Sequence, residues 1–487
     1  MKRLITSLQP AFSACRMKLA ALALICGAAL SSPPSGLSAD LNVPAQYPTI
    51  QKAVDAAADG DMIHVAPGVY VEQILILRKK LTLLGRPGAV IRAQVGLTTT
   101  LKRNDLPGSG VENTPAVLAA AVSDVVLKGF TFEGEHLGEA FSFSSYMAIV
   151  FSGTSGRLED CTVRGFRNAN TLHPFRSFGF AAANWAALGT PPLTVQVLRC
   201  AFADNGTSVH VRGDDLAPTQ QRLTFTIADN TISGIGPTAL GPQAGIEIGV
   251  GATGEVRRNT ITDHFSTVIG DPASLGSMGI IAVDIWFLFH VVGSPRTLLP
   301  VLYENNTFRA NQHHLVCLKA KDSQAVNNTF QGAGNGFRPT GIMVSGDNLL
   351  ISSNRFTDIP TGITLLGNAP VRLWDQNFGT TFGIATNPRL LRNRFCNVTT
   401  PVNIEPPASG VTQEGTLVCP FPDPTLEIAP AVILSWPAYS EGWILESAPT
   451  VNGPWTALTA TATVENDQNT IAVKTESEQR FFRLHKP

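Results

Sequence analysis

A short motif recurs along this chain, and its spacing leaves few folds open. Each copy is an apolar strand, a polar residue, an asparagine and then Thr or Arg before an Ile or Phe. The copies are Asp229-Asn230-Thr231-Ile232, Arg258-Asn259-Thr260-Ile261, Asn305-Asn306-Thr307-Phe308, Asn327-Asn328-Thr329-Phe330, Ser353-Asn354-Arg355-Phe356 and Arg392-Asn393-Arg394-Phe395. Upstream, Asp160-Cys161-Thr162-Val163 and Arg199-Cys200-Ala201-Phe202 put cysteine in the same slot, and residues 125–132 begin the rhythm. From Cys161 onward the slots are 39, 30, 29, 47, 22, 26 and 39 residues apart. The shortest intervals define the unit, and the longer ones add a loop. The last interval reads as two units, because Gln376-Asn377-Phe378 falls inside it. A period in the twenties, built from short strands without helices, implies a solenoid whose coils bury one another's apolar faces.

Asparagine at a sharp corner tolerates a left-handed backbone, and stacked copies can bond side chain to side chain along the axis. With this ladder, the chain resembles the right-handed parallel β-helix of the pectin lyase-like superfamily over roughly residues 41 to 419. The resemblance implies an all-β fold of three-strand coils. The strand before each asparagine is the second of its coil and the strand after it the third. First strands then recur as Val209-His210-Val211-Arg212, Gly245-Ile246-Glu247-Ile248, Ile281-Ala282-Val283-Asp284-Ile285-Trp286, Gly341-Ile342-Met343-Val344 and Gly362-Ile363-Thr364-Leu365. Ahead of the coils, Ile50, Ala53, Val54 and Ala57 follow helical spacing with Thr49 before them, which predicts a short capping helix.

The two ends read differently. Arg16, Met17 and Lys18 precede an apolar run over 19–30, then Ser, Pro and Gly and a small-residue end at Ser38-Ala39. This is the layout of a secretory signal over 1–39, so the coil region, 40–419, is expected outside the cytoplasm, with no membrane span after it. Beyond Pro420, Pro422 and Pro424 the strands alternate without asparagine slots, as in Val432-Ile433-Leu434-Ser435-Trp436. Residues 420–487 resemble a small fibronectin-like β-sandwich module. Cys15 and Cys26 lie in the signal, leaving Cys161, Cys200, Cys317, Cys396 and Cys419. The first three read as buried thiols. Cys396 and Cys419 flank one Pro-containing loop and are the disulfide to test first in an exported chain.

Charge narrows the partners. With 36 Lys+Arg against 37 Asp+Glu and 15% charged residues, the chain has no global electrostatic footprint for nucleic acid, and no polybasic segment beyond residue 18 would hold an anionic membrane. A monomer acting on an extracellular polysaccharide is the expectation. No cofactor and no metal site follow from Cys/His spacing, with calcium at Asp-rich turns as the one alternative.

Three strings suggest chemistry and are set aside. The opening Tyr47-Pro48-Thr49-Ile50-Gln51 through Tyr70-Val71-Glu72 resembles pectinesterases, but the later catalytic strings of that family are missing, so Tyr70 and Glu72 read as structural. Gly213-Asp214-Asp215 repeats a polygalacturonase string on the wrong side of its strand, without that family's other motifs. Gly249-Val250-Gly251-Ala252-Thr253-Gly254 fits a dinucleotide fingerprint but is followed by a strand where a helix is needed.

Strand alternation is more informative. If Val209, Val211, Ile246, Ile248, Val283 and Ile285 point into the solenoid, then His210, Arg212, Glu247, Asp284 and Trp286 point out. Neighbouring strands lie about 4.8 Å apart, which sets Glu247 beside the His210/Arg212 row and the Ala282/Asp284 row. The expected roles are Glu247 and Asp284 as an acid/base pair, Arg212 holding an acidic sugar, and His210 and Trp286 binding substrate. Hydrolysis or elimination of a polysaccharide, pectin-like for instance, would follow. The competing reading is a non-catalytic surface or adhesion scaffold whose loops, such as 167–192, make the contacts.

Overall fold

The computed structural model describes residues 38–97, 99–103, 112–121, 123–140, 146–167, 177–183, 192–213, 222–267, 274–283, 298–332, 340–368, 372–373, 383–419, 431–438, 442–458, 462–465, 467–474 and 480–486. Residues 1–37 of the expected signal, the expected linker over 420–424, Asp214, Asp215, Asp284, Trp286 and the Gln376-Asn377-Phe378 string fall outside them.

The chain is a parallel β-helix. Second strands form one 13-stranded sheet from Asp40–Val43 to Thr412–Glu414, and first and third strands join in a 23-stranded sheet. Pairing between successive coils is parallel and in register, as in Leu193–Leu198 on Leu223–Ala228 and the latter on Ala252–Arg257. Arg355–Leu365 and Arg394–Ile404 each run through a third and a first strand without a break. Beyond Cys419 the strands turn antiparallel. Ala431–Pro437, Thr463–Glu465 and Gln468–Lys474 form one small sheet, and Ile444–Ala448, Thr456–Ala457 and Phe481–His485 form another.

The asparagine slot explains the coil. Asn230, Asn259, Asn306, Asn328 and Asn354 each donate their side-chain amide to the Oδ1 of the next coil's asparagine, at 2.9–3.0 Å, ending on Asn393. The same Oδ1 accepts the backbone N–H of the preceding asparagine, as from Asn259 to Asn306 at 3.0 Å. A second amide hydrogen goes to a backbone carbonyl on the second strand of the preceding coil, as from Asn306 to Val256 at 2.8 Å. All six amides are buried, so each pairing removes a desolvation cost that water would otherwise have met.

Three expectations are corrected here. The left-handed residue is the one before the asparagine: Asp229, Arg258, Asn305, Asn327, Ser353 and Arg392 have φ between 52 and 61°. The asparagine itself supplies the side chain, not the turn. The 39-residue interval from Asn354 to Asn393 is one coil, since their side chains bond directly and Leu350–Ser352 pairs with Arg389–Leu391. Long insertions cost little closure entropy. The stretch 167–192 is not all loop. Ser177–Ala183 is a first strand between Tyr146–Ser152 and Thr207–Arg212, hidden in sequence by alanines that favour strands poorly.

The interior is filled by repeat. Phe308, Phe330, Phe356 and Phe395, each two residues after its asparagine, stack with centroids 4.8–4.9 Å apart and planes within 10°. That distance is the strand spacing. Cys161 and Cys200 occupy the asparagine slot upstream, their thiols 3.2 Å from the carbonyls of Glu159 and Leu198.

The capping helix, Ile50–Ala56, starts at Thr49, whose side chain accepts from Lys52 N. Glu72 accepts the N–H groups of Ile50 and Gln51 at 2.9 and 3.0 Å, and Lys79 Nζ donates to the carbonyls of Val54 and Ala57 at 2.6 and 2.8 Å. A carboxylate at the N-terminus and an ammonium at the C-terminus satisfy orphan backbone groups and oppose the helix dipole. Tyr70 donates its hydroxyl to Ala66 O at 3.0 Å. Glycine at 254, with φ +156°, is required because a Cβ there would sit 2.0 Å from Phe225 O. The dinucleotide-like string is thus a turn followed by the strand Ala252–Arg257.

Candidate functional site

Register makes the outer face of the first-strand sheet explicit. One row of side chains runs through Leu75, Ala119, Val150, Ala181, His210, Glu247, Ile281, Val316, Met343 and Thr364. Its early members join an apolar cluster of Ala116, Ala119, Met147, Val150, Phe178 and Ala181, separate from the solenoid interior. His210 and Glu247 are neighbours where that cluster ends.

The pair is buried, not exposed as strand alternation alone suggests. Glu247 is 2% exposed, His210 8% and Arg212 9%. His210 Nδ1 lies 3.1 Å from Glu247 Oε1, yet out of line for a hydrogen bond. Among the described residues, neither His210 Nδ1 nor Glu247 Oε2 has an aligned partner. Buried ionisable groups are normally satisfied, and those that are not mark strain or function. The Phe178 ring packs on the His210 imidazole with centroids 5.1 Å apart. Arg212 stands two residues along from His210, its stem where a Cβ on Gly249 would sit, 3.1 Å away.

The predicted neighbour on the far side is corrected. Glu247 pairs with Ile281 and Ile248 with Ala282. Ile280 and Ala282 belong to the inner core and Ile281 does not. The strand therefore has the opposite phase to that expected, and Ala282 does not face out beside Glu247. Met278-Gly279-Ile280-Ile281-Ala282 is buried on both faces, so its apolar run carries no alternation to read. Asp284 and Trp286 lie outside the described residues.

Phe178 is the contact the sequence reading missed, because its strand went unrecognised. His313 and His314 lie on opposite faces of their strand, His313–Lys321. His313 pairs with Met278, which pairs with Ala244, in an outer row. His314 lies against the rings of Phe308 and Phe330 at 5.9 Å. Burial pushes His313 down to about 4 and His314 to about 3, and His264, buried beside Asn311, to about 4. All three imidazoles are thus neutral at pH 7.

Charges elsewhere pair among themselves. Glu159 takes Lys128 at 2.8 Å, Arg157 at 3.0 Å and Arg199, and Asp229 takes Arg258 at 2.7 Å. Hydrogen bonding to Lys128 holds the Glu159 carboxyl below its usual range against burial. Among the described residues no group of three His, Cys, Asp or Glu is placed to hold a metal ion, and no helix is long and apolar enough to cross a membrane.

No family model and no curated protein matches the chain. Solved structures do. A PL6 family alginate lyase, AlyGC, is 15% identical, with TM-score 0.47 over 73% of this chain and 44% of its own. This chain therefore spans under half the length of that enzyme. PfbA, a surface adhesin of Streptococcus pneumoniae, is 13% identical, with TM-score 0.47 over 74% of this chain and 91% of its own. A GH136 lacto-N-biosidase from Eubacterium ramulus is 12% identical, with TM-score 0.49 over 76% of this chain and 64% of its own.

Proposed function

We propose that this is a secreted protein that binds an acidic polysaccharide on the outer face of its first-strand sheet and cleaves it by elimination. The observation that carries the reading is the buried His210–Glu247 pair, 3.1 Å apart with hydrogen-bonding capacity unspent. Two carboxylates are needed for the usual glycoside hydrolysis, whereas elimination needs one base and a cation. Glu247, 3.1 Å from Nδ1, accepts the Nδ1 proton once the imidazole turns into line on substrate binding, leaving Nε2 to take the proton α to the sugar carboxylate. Arg212 neutralises that carboxylate and makes the proton more acidic. The C4–O4 bond then breaks, its electron pair leaves with O4, and O4 takes a proton from water. An unsaturated sugar end and a new reducing end result.

The test is a panel of anionic and neutral glycans assayed for ultraviolet-absorbing unsaturated ends and for reducing ends. Wild type should release both from an anionic member. Glu247→Gln should lower kcat at least 100-fold, in line with loss of a general base's support. Activity untouched by that change removes the site. Burial of both groups favours one alternative, a non-catalytic scaffold, which binding without turnover would establish.

A further inference from the structure

We infer that Cys396 and Cys419 are a disulfide-forming pair that staples the last coil to the one before it. The two residues are direct register partners on adjacent parallel strands, Arg394–Ile404 and Leu417–Cys419. Neighbouring strands lie about 4.8 Å apart, inside the range of roughly 4.4–6.8 Å between Cα atoms that a disulfide spans. Both are thiols in this structure. The inference does not depend on the polysaccharide reading.

The surroundings suit the exchange. Arg394 Nε lies 3.2 Å from Cys419 Sγ, and Cys419 is half-buried while Cys396 is enclosed. Burial raises the Cys419 thiol, but hydrogen bonds with Cys396 and Arg394 outweigh it and lower the group overall; burial and Cys419 itself raise Cys396. Cys419 is therefore the reachable thiolate and Cys396 the resolving thiol. With a small-molecule disulfide as oxidant, Cys419 attacks one sulfur and expels a thiolate. Cys396 then loses its proton, attacks the Cys419 sulfur and expels the second thiol. Two protein thiols are oxidised and one oxidant disulfide is reduced to two thiols.

The other stacked pair provides the internal contrast. Cys161 and Cys200 also sit in consecutive coils, but both are only 2–3% exposed and their thiols face backbone carbonyls. No oxidant reaches them without unfolding.

The experiment treats the folded full chain, in a background with Cys15 and Cys26 changed to Ser so that the five thiols beyond residue 39 alone are counted, with oxidised glutathione, blocks remaining thiols, and maps peptides without reduction. Wild type and Cys161→Ser should each lose two titratable thiols and give a peptide joining residues 396 and 419. Cys419→Ser should lose none. Because Cys396→Ser and Cys419→Ser each remove one partner at the edge of the solenoid, retained circular dichroism separates lost pairing from lost fold. Unchanged thiol content in oxidised wild type, glutathione held on Cys419 without ring closure, or a 161–200 link would each overturn the inference.

Discussion

Asn306 shows how much one side chain carries in this fold. It accepts from both the backbone and the side chain of Asn259 and donates to Val256 O and Asn328 Oδ1. Replacement by alanine leaves a buried N–H and a buried amide without acceptors, each costing about 1–3 kcal/mol. Asn306→Ala should therefore lower the urea midpoint by an amount equivalent to about 2–4 kcal/mol, whereas Gln324→Ala, on an exposed strand position, should stay within about 0.5 kcal/mol. Equal effects would mean that the ladder is incidental. Gly254→Ala is a sharper case. Its Cβ meets a backbone oxygen at 2.0 Å, which no rotamer relieves, so the paired strands Leu223–Ala228 and Ala252–Arg257 cannot keep their register without moving. Circular dichroism and the same denaturation series should show a loss of at least about 3 kcal/mol.

Among the elements, the buried imidazoles give the solenoid a pH dependence. His264 and His313 sit at about 4 and His314 at about 3 in the folded chain, lowered first by burial, against about 6.5 unfolded. Between these values the unfolded chain binds more protons, so stability is full above about 6.5 and falls as pH drops toward 4. Lowering from about 6.5 to about 4 corresponds to about 3 kcal/mol for His264 and for His313, and the deeper lowering of His314 to more. Thermal unfolding at pH 7 and pH 4.5 should show this loss, and His314→Phe, flanked by Phe308 and Phe330, should make it shallower. An unchanged difference would show that His314 is protonated or exposed in the fold. The coils were legible in sequence because an asparagine and a following aromatic repeat at a stackable position. The strand at Ser177–Ala183 was not, for lack of β-branched residues, and the strand expected from Ile281 had the wrong start and the wrong phase, because the doubly buried Met278–Ala282 shows no polar face.

For the molecule as a whole, the residues that repeat say how the chain stacks, while the groups with chemistry, His210, Glu247 and Arg212, occur once. Their row and neighbours could be anticipated from alternation, since His210 and Glu247 do pair in register. Their burial could not, because alternation separates inside from outside but says nothing about what covers the outside. The proposed chemistry rests on Arg212 and the His210–Glu247 pair acting together on an anionic sugar. Calorimetric titration of the full chain with a uronate oligosaccharide and with a neutral one of equal length tests this most directly. The expected result is binding of the uronate alone, weakened at least tenfold in Arg212→Gln and unaffected in Arg258→Gln, which removes a surface ion pair with Asp229. Equal affinity for the neutral sugar, or equal losses in the two arginine variants, would contradict it.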